Sequence, residues 1–315
     1  MKKLDNIGIL FAGQGSQKVS MGKDWYGESE SFKKVFDLLP EKQRQIAFEG
    51  PIEELSKTEN TQPIMAAFAA GVVDELRAAG VVPGMTAGLS LGEYSALYCA
   101  GVFDSQTLID IVSLRGREMT KAAEGVQCAM YAVLGMDRDK LKECCEQARQ
   151  VGIVNMVNFN CPGQIVISGE KAAVEKAQEL AKENGAKRCM ALPVSGPFHT
   201  EFMEPAGRAL AECFAKADFH QMDVPVVFNA IGREKSEDES IEELLVKQVS
   251  SSVYFEDSIK YMEEHGIDTV IEVGPGKTLS GFVRKTAKNI KCLNIETYED
   301  LLKVIEVLKG EHNEG

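Results

Sequence analysis

Ser90 sits in Gly88-Leu89-Ser90-Leu91-Gly92, a G-x-S-x-G pentapeptide between a strand-like stretch, Met85 to Ala87, and a helix-like one, Glu93 to Ala100. A serine hydroxyl acts as a nucleophile only when it is lifted clear of its sheet. A sharp strand-to-helix turn does this, and glycines flanking it leave room for backbone that a side chain would strike. The same turn aims the Leu91 N–H and the positive end of the following helix at any oxyanion formed on Ser90. The competing reading is a glycine-rich turn with a capping serine.

Such a serine needs a proton acceptor that titrates near neutrality, and the chain has 4 histidines. His312 lies in the polar C-terminal stretch, and His220 falls in a polar linker. His265, in Glu263-Glu264-His265-Gly266, has the position of a helix C-terminal residue. His199 closes Pro193-Val194-Ser195-Gly196-Pro197-Phe198-His199, a rigid turn where one sequence pattern gives way to another, and it is the candidate base. The alternative is a buried histidine satisfied by backbone. No single carboxylate stands out to orient the ring.

Arg115 is the third candidate. Leu108, Val112, Arg115 and Met119 follow at spacings of four, three and four, so they share one helix face and Arg115 points inward, whereas Arg117 projects toward solvent. A guanidinium on an apolar face needs a carboxylate, because it cannot escape by losing its proton. That carboxylate is either structural or carried by a substrate. In the second case a substrate lacking it leaves Arg115 unpaired, at about 3–5 kcal/mol, a preference of about a hundredfold or more.

The elements that must hold these residues follow from periodicity. Ile7 to Ala12 is a buried strand running into the loop Gly13-Gln14-Gly15-Ser16-Gln17. Helices are expected at 61–79, with Pro63 near the start, and at 91–100 and 105–122; further strands are expected at 224–229, 268–273 and 290–295. This alternation predicts an α/β fold, a parallel sheet covered by helices. Residues 128–194 break the pattern with strand 128–135, helix 138–150, strands 153–159 and 163–169, helix 171–184 and strand 187–194, a ferredoxin-like β-α-β-β-α-β order. The predicted organisation is a discontinuous main domain, 1–125 and 196–315, interrupted by a ferredoxin-like subdomain at 126–195, with a cleft between the lobes. The alternative adds the inserted strands to the main sheet.

Composition narrows the function. The chain has 315 residues, 44% of them hydrophobic, enough for a sizeable core, and its formal net charge of -13 argues against wrapping nucleic acid. Its 8 cysteines show no Cys-x-x-Cys spacing and read as reduced thiols in a cytoplasmic protein. Asp5 and Asn6 interrupt any signal-like apolar run, and no stretch reaches membrane-spanning length. Gly310 to Gly315 reads as a frayed tail. Lys18 stands where a dinucleotide fingerprint needs its third glycine, and Ile271 where a phosphate loop needs its first, so no nucleotide site is expected. Between Val273 and Ile295 lie Lys277, Arg284, Lys285, Lys288 and Lys291 with no acid, a patch suited to a phosphate-bearing carrier or an acidic partner, or else a solvated helix face.

With these residues marked, the chain resembles, nearly end to end, the malonyl-CoA:acyl-carrier-protein transacylases. The resemblance is carried by Phe11-Ala12-Gly13-Gln14-Gly15-Ser16-Gln17, Gly88-Leu89-Ser90-Leu91-Gly92-Glu93-Tyr94, Leu114-Arg115-Gly116, Asn158-Phe159-Asn160-Cys161-Pro162-Gly163-Gln164, the turn ending at His199, and Glu272-Val273-Gly274-Pro275-Gly276. It implies an α/β-hydrolase-like main domain, Ser90 as nucleophile, His199 as base and Arg115 as clamp on the malonyl carboxylate. It further implies Gln14 beside the oxyanion-binding N–H of Leu91, and the main-chain carbonyl of Gln248 orienting the histidine. Malonyl-CoA and acyl carrier protein are the implied partners. A cytoplasmic monomer without cofactor, metal, nucleic acid or membrane is the expected form. The family's usual histidine before the nucleophile is Leu89 here, and Phe198 before His199 matches the malonyl-selecting form of related polyketide acyltransferases. A serine acyl-thioester hydrolase of similar architecture and a non-catalytic carrier-docking subunit are the alternative functions.

Overall fold

The apolar run at the N-terminus forms β1 (Lys3–Phe11), and the computed structural model describes residues 3–193 and 195–310 of the chain. Val194, His312 and the tail beyond Gly310 lie outside the described residues. The chain divides into two units, residues 1–116, 217–227 and 260–315 in the first and residues 117–216 and 228–259 in the second.

In the first unit β1 is the middle strand of a parallel sheet. The other strands of this sheet are β2 (Val82–Gly88), β7 (Val226–Val227), β8 (Thr269–Val273) and β9 (Lys291–Ile295), in the order β7-β2-β1-β8-β9. Every pairing is parallel. The strands are apolar and flanked by helices, as a sheet covered on both faces requires. Phe11 lies opposite both Gly88 and Val273, so β1, β2 and β8 end level and release their loops at one edge of the sheet. In open parallel sheets, sites form at the carboxyl ends of the strands.

Those loops interlock through backbone. Leu89 N–H donates to Phe11 O at 3.0 Å and Ala12 N–H to Val273 O at 3.1 Å. Glu272, buried at the end of β8, accepts from Leu279 N and Ser280 N at 2.9 and 2.7 Å and from Asn294 Nδ2 at 3.0 Å. Its carboxylate thereby caps the helix Thr278–Thr286, which accounts structurally for the glutamate of Glu272-Val273-Gly274-Pro275-Gly276.

The helix Thr58–Ala78 begins three residues before the expected start at 61, and Pro63 is inside it. Proline supplies no N–H to the carbonyl of Glu59, four residues back, and the Gln43 side chain donates to that carbonyl instead, at 3.3 Å.

The second unit is built on an antiparallel sheet of β3 (Cys128–Leu134), β4 (Val154–Cys161), β5 (Gln164–Glu170) and β6 (Arg188–Ala191), in the order β4-β5-β3-β6. With the helices Arg138–Ala148 and Lys171–Glu183 this is the expected ferredoxin-like arrangement, a sheet of its own and not an extension of the first. The helices bury Leu141, Cys144, Cys145, Val174 and Ala177 against Val133, Ile165 and Ile167 of the sheet.

This unit also takes in residues beyond the predicted 126–195. Asn158 bridges to Val253, the Phe159 and Tyr254 rings stack at 5.1 Å, and Arg138 pairs with Glu256 and Asp257, each at 3.0 Å. No helix among the described residues is long and apolar enough to cross a membrane.

Candidate active site

Gly88 closes β2 and Gly92 opens the helix Gly92–Cys99, so the pentapeptide forms the expected strand-turn-helix. A Cβ on Gly88 falls 2.0 Å from the Gly92 carbonyl carbon, one on Gly92 falls 2.1 Å from Phe11 O, and one on Gly13 falls 2.3 Å from Leu89 O. All three contacts are with backbone, which cannot move aside cheaply. Ser90, between the glycines, has φ 53°, a left-handed conformation costly for any residue with a Cβ.

Hydrogen bonds of the turn hold it there: Gly92, Glu93 and Tyr94 N–H donate to the carbonyls of Leu89, Ser90 and Leu91 at 3.0–3.1 Å. The Leu91 N–H takes no part in this series. It belongs to the residue that follows Ser90 and precedes the helix Gly92–Cys99.

Gly92→Ala is expected to cost about 3 kcal/mol. Gly281→Ala, in the helix Thr278–Thr286, is expected to gain about 0.5–1 kcal/mol, because its new methyl meets nothing within 4 Å. Urea unfolding midpoints of the two variants check this, and equal shifts would count against a turn closed by backbone contact.

Arg115 is 1% exposed, in the helix Ser105–Ala123, on the same face as the buried Leu108, Val112 and Met119; Arg117 is exposed, as its position predicts. Its Nη2 donates to Ser90 Oγ at 3.2 Å and its Nη1 to Gln62 Oε1 at 2.9 Å, and its guanidinium carbon lies 5.3 Å from the centre of the Tyr94 ring. Burial pulls the guanidinium below its usual range, while Tyr94 and the Glu93 charge pull it back up. An arginine keeps its proton even so, and the result is a desolvated cation aimed at the serine hydroxyl.

Gln14 leaves β1 in the loop that packs on the turn, and its Nε2 donates to Thr58 Oγ1 at 3.0 Å. Thr58 and Gln62 are four residues apart on one helix face, so the first turns of Thr58–Ala78 hold both Gln14 and Arg115. Sequence reasoning placed the helix start beyond Thr58 and passed over Gln62. The signal was present: Gln62 is a polar residue followed by Met65, Ala66 and Ala69 on an apolar stripe, the pattern that marked Arg115.

His199 belongs to the second unit. It is buried, its φ is 61°, and with Ser90 and the exposed Ser20 it is one of three non-glycine residues with positive φ among those described. Its Nδ1 lies 2.9 Å from the carbonyl oxygen of Gln248. A carbonyl only accepts, so Nδ1 carries the proton, and in the neutral ring Nε2 holds the lone pair. Gln248 is the penultimate residue of the helix Ile241–Val249, where carbonyls have no intrahelical N–H. The patch cations Lys277, Arg284, Lys285, Lys288 and Lys291 are all exposed, on and around Thr278–Thr286.

Comparison with known proteins accords with this geometry. Residues 9–306 match the acyl transferase domain family. The chain is 42% identical over 315 residues to the malonyl CoA-acyl carrier protein transacylase of Bacillus subtilis (strain 168), spanning 98% of this chain and 99% of that protein. The chain belongs to the malonyl CoA-acyl carrier protein transacylase family. It is an acyltransferase.

The family member of Escherichia coli (strain K12) is 39% identical over 287 residues, 90% of this chain and 93% of that one. The crystal structure of the transacylase from Clostridium perfringens superposes with a TM-score of 0.92 at 41% identity, covering 97% of this chain and 98% of that chain. A malonyl-transacylase solved in complex with its type II PKS acyl-carrier protein gives 0.91 at 35% identity, covering 95% and 99%. Within the transacylase fold, Leu89 occupies the position before the serine, held through its backbone to Phe11 and Gly92.

Proposed function

We propose that the chain moves a malonyl group from malonyl-CoA to the phosphopantetheine thiol of acyl carrier protein, by a ping-pong cycle through a malonyl ester on Ser90. The observation that supports it most is a buried guanidinium 3.2 Å from the hydroxyl of a nucleophile-elbow serine. An acyl group ending in a carboxylate is what such a cation is suited to receive.

In the proposed cycle Ser90 and His199 meet, and His199 Nε2 takes the Ser90 proton as Oγ attacks the thioester carbonyl. The oxyanion accepts from the Leu91 N–H, with Gln14 beside it, and Arg115 holds the malonyl carboxylate. CoA leaves as the thiol with the proton from His199. The carrier thiol then gives its proton to His199 and attacks the ester carbonyl, and Ser90 Oγ leaves with that proton. The Gln248 carbonyl stabilises the imidazolium in both halves. Each oxyanion donor contributes about 10²–10³ in rate, comparable with the 10²–10⁴ from the base, so neither alone suffices.

The exposed cations near the C-terminus fit docking of an acidic carrier. The proposed form is a cytoplasmic monomer that uses no cofactor, metal or nucleic acid.

The test is a product assay with labelled malonyl-CoA, with and without pantetheinylated carrier. Label is expected on the carrier, with free malonate forming about a hundredfold more slowly than the carrier is labelled. Malonate released without carrier as fast as the carrier is labelled would reject transfer in favour of hydrolysis. His199→Ala is expected to slow labelling of the protein by about 10²–10⁴, and labelling at the unmodified rate would remove His199 as the base.

A further inference from the structure

His199 has a left-handed backbone, φ 61°, which a residue with a Cβ keeps only where its surroundings impose it. Two residues on, Glu201 opens the turn Glu201–Met203, and its Oε2 accepts from Asn155 Nδ2 of β4 at 2.6 Å. We infer that Asn155 is a positioning residue for the base: its amide ties the His199 turn to the strand that also holds the segment following Gln248. This rests on the reading of His199 as the base.

The amide is held in one orientation. Its Oδ1 accepts from Arg149 Nη2, and a guanidinium only donates, so Nδ2 is left for the Glu201 carboxylate, which only accepts. Arg149 is itself fixed, its Nε donating to Val154 O at 3.1 Å. Each bond from Arg149 through Asn155 to Glu201 thus has one charged partner, the stronger kind of hydrogen bond, and Asn155 is half-buried between two exposed ends. The bonds from Thr200 Oγ1 to Pro197 O and from Met203 N–H to Thr200 O close the turn locally and fix nothing outside it.

The next residues of β4 hold the partner of the imidazole. Ser252 Oγ donates to Met156 O at 2.8 Å, Val253 N–H to Val157 O at 2.8 Å, and Phe159 N–H to Val253 O at 2.9 Å. Gln248, whose carbonyl lies 2.9 Å from His199 Nδ1, is four residues before Ser252. One strand therefore steadies both ends of that hydrogen bond, the imidazole through the Asn155 side chain and the carbonyl through the segment paired to β4. Loss of the side-chain tie frees one end alone, and a misplacement of about 1 Å in a catalytic group costs about a hundredfold.

The experiment measures the rate constant for malonyl labelling of the folded protein at saturating malonyl-CoA, and the half-saturating concentration. Asn155→Asp keeps the acceptor for Arg149 but sets a carboxylate against Glu201, and its saturating rate is expected to fall by about ten- to a hundredfold, with the half-saturating concentration within about twofold. Glu201→Gln keeps an acceptor for Nδ2 and is expected to cost less than about threefold. Combining the two substitutions reverses the bond, the new amide donating to the new carboxylate, and is expected to bring the rate back to within about threefold of the unmodified chain. A packing role predicts no such rescue. In the His199→Ala background, Asn155→Asp is expected to change the rate by less than about twofold, because the tie acts through the imidazole. Should Asn155→Asp not fold, Glu201→Ala, at an exposed position, carries the test with the same expected loss.

If His199→Ala labels slowly but folded Asn155→Asp, or Glu201→Ala in its place, stays within about twofold of the unmodified rate, the inference is overturned. A double variant as slow as Asn155→Asp overturns it as well. If His199→Ala labels at the unmodified rate, the base reading fails and this inference fails with it.

Discussion

Ser90→Ala is expected to leave the protein with no acyl adduct after brief exposure to malonyl-CoA, where the unmodified chain gains one malonyl group by intact mass. Removing a nucleophile from a serine site of this kind costs about 10⁶ in rate, which takes labelling out of reach of a short exposure. The other nucleophiles offer no substitute. All 8 cysteines are thiols, and burial pushes Cys99 and Cys145 up to about 12, so neither supplies thiolate near neutrality. Ser20 shares the positive φ of Ser90 but is exposed and precedes no helix of the nucleophile-elbow kind. Among the described residues, Ser90 combines a lifted hydroxyl, an adjacent helix N-terminus and a guanidinium within hydrogen-bond distance. An adduct persisting in Ser90→Ala would reject the nucleophile. An unmodified chain that never gains one would favour a carrier-docking subunit over an enzyme.

What the sequence disclosed and withheld divides along physical lines. Strands β1, β2 and β8 were legible because a parallel sheet covered on both faces needs unbroken apolar runs. The ferredoxin-like order was legible because each of its helices and strands carries its own period. Arg115 was legible because a charge on an apolar stripe has to be explained.

The extent of the second unit was not, since it depends on Val253 meeting Asn158 and Tyr254 stacking on Phe159, pairings about a hundred residues apart that no local period encodes. The partner of His199 was hidden for a different reason. It is a main-chain carbonyl, which any residue at the end of that helix can supply, so the side chain of Gln248 marks nothing; resemblance alone pointed there. Gln62 lay inside the predicted helix 61–79 and was passed over because an amide near a helix start is ordinary; Thr58 was missed through the boundary. Starting the helix at 61 left Thr58 out, and with it the spacing of four that marks the face holding Gln14 and Arg115.

Arg115→Ala is expected to lower the ratio of malonyl-CoA to acetyl-CoA labelling by about a hundredfold or more, with two contributions of opposite direction. For malonyl-CoA, the substitution leaves the terminal carboxylate desolvated without a partner, at about 3–5 kcal/mol, or roughly two to nearly four powers of ten. For acetyl-CoA there is no carboxylate to strand. In the unmodified chain the acetyl group instead offers the buried guanidinium no carboxylate, and truncating that side chain removes the mismatch, so acetyl labelling is expected to rise. Arg115→Lys should fall between, keeping the charge but losing the planar fork.

The competing account makes Arg115 a structural strut. Its bonds to Gln62 and Ser90 and its place over Tyr94 give that account substance. The two diverge in sign for one substrate. A lost strut displaces Ser90 and depresses both acyl groups together, leaving the ratio unmoved, whereas a lost clamp depresses one and relieves the other. Measuring kcat/KM for both thioesters in Arg115→Ala therefore decides between them, and a ratio equal to that of the unmodified chain would leave the guanidinium as a strut and selectivity to other groups.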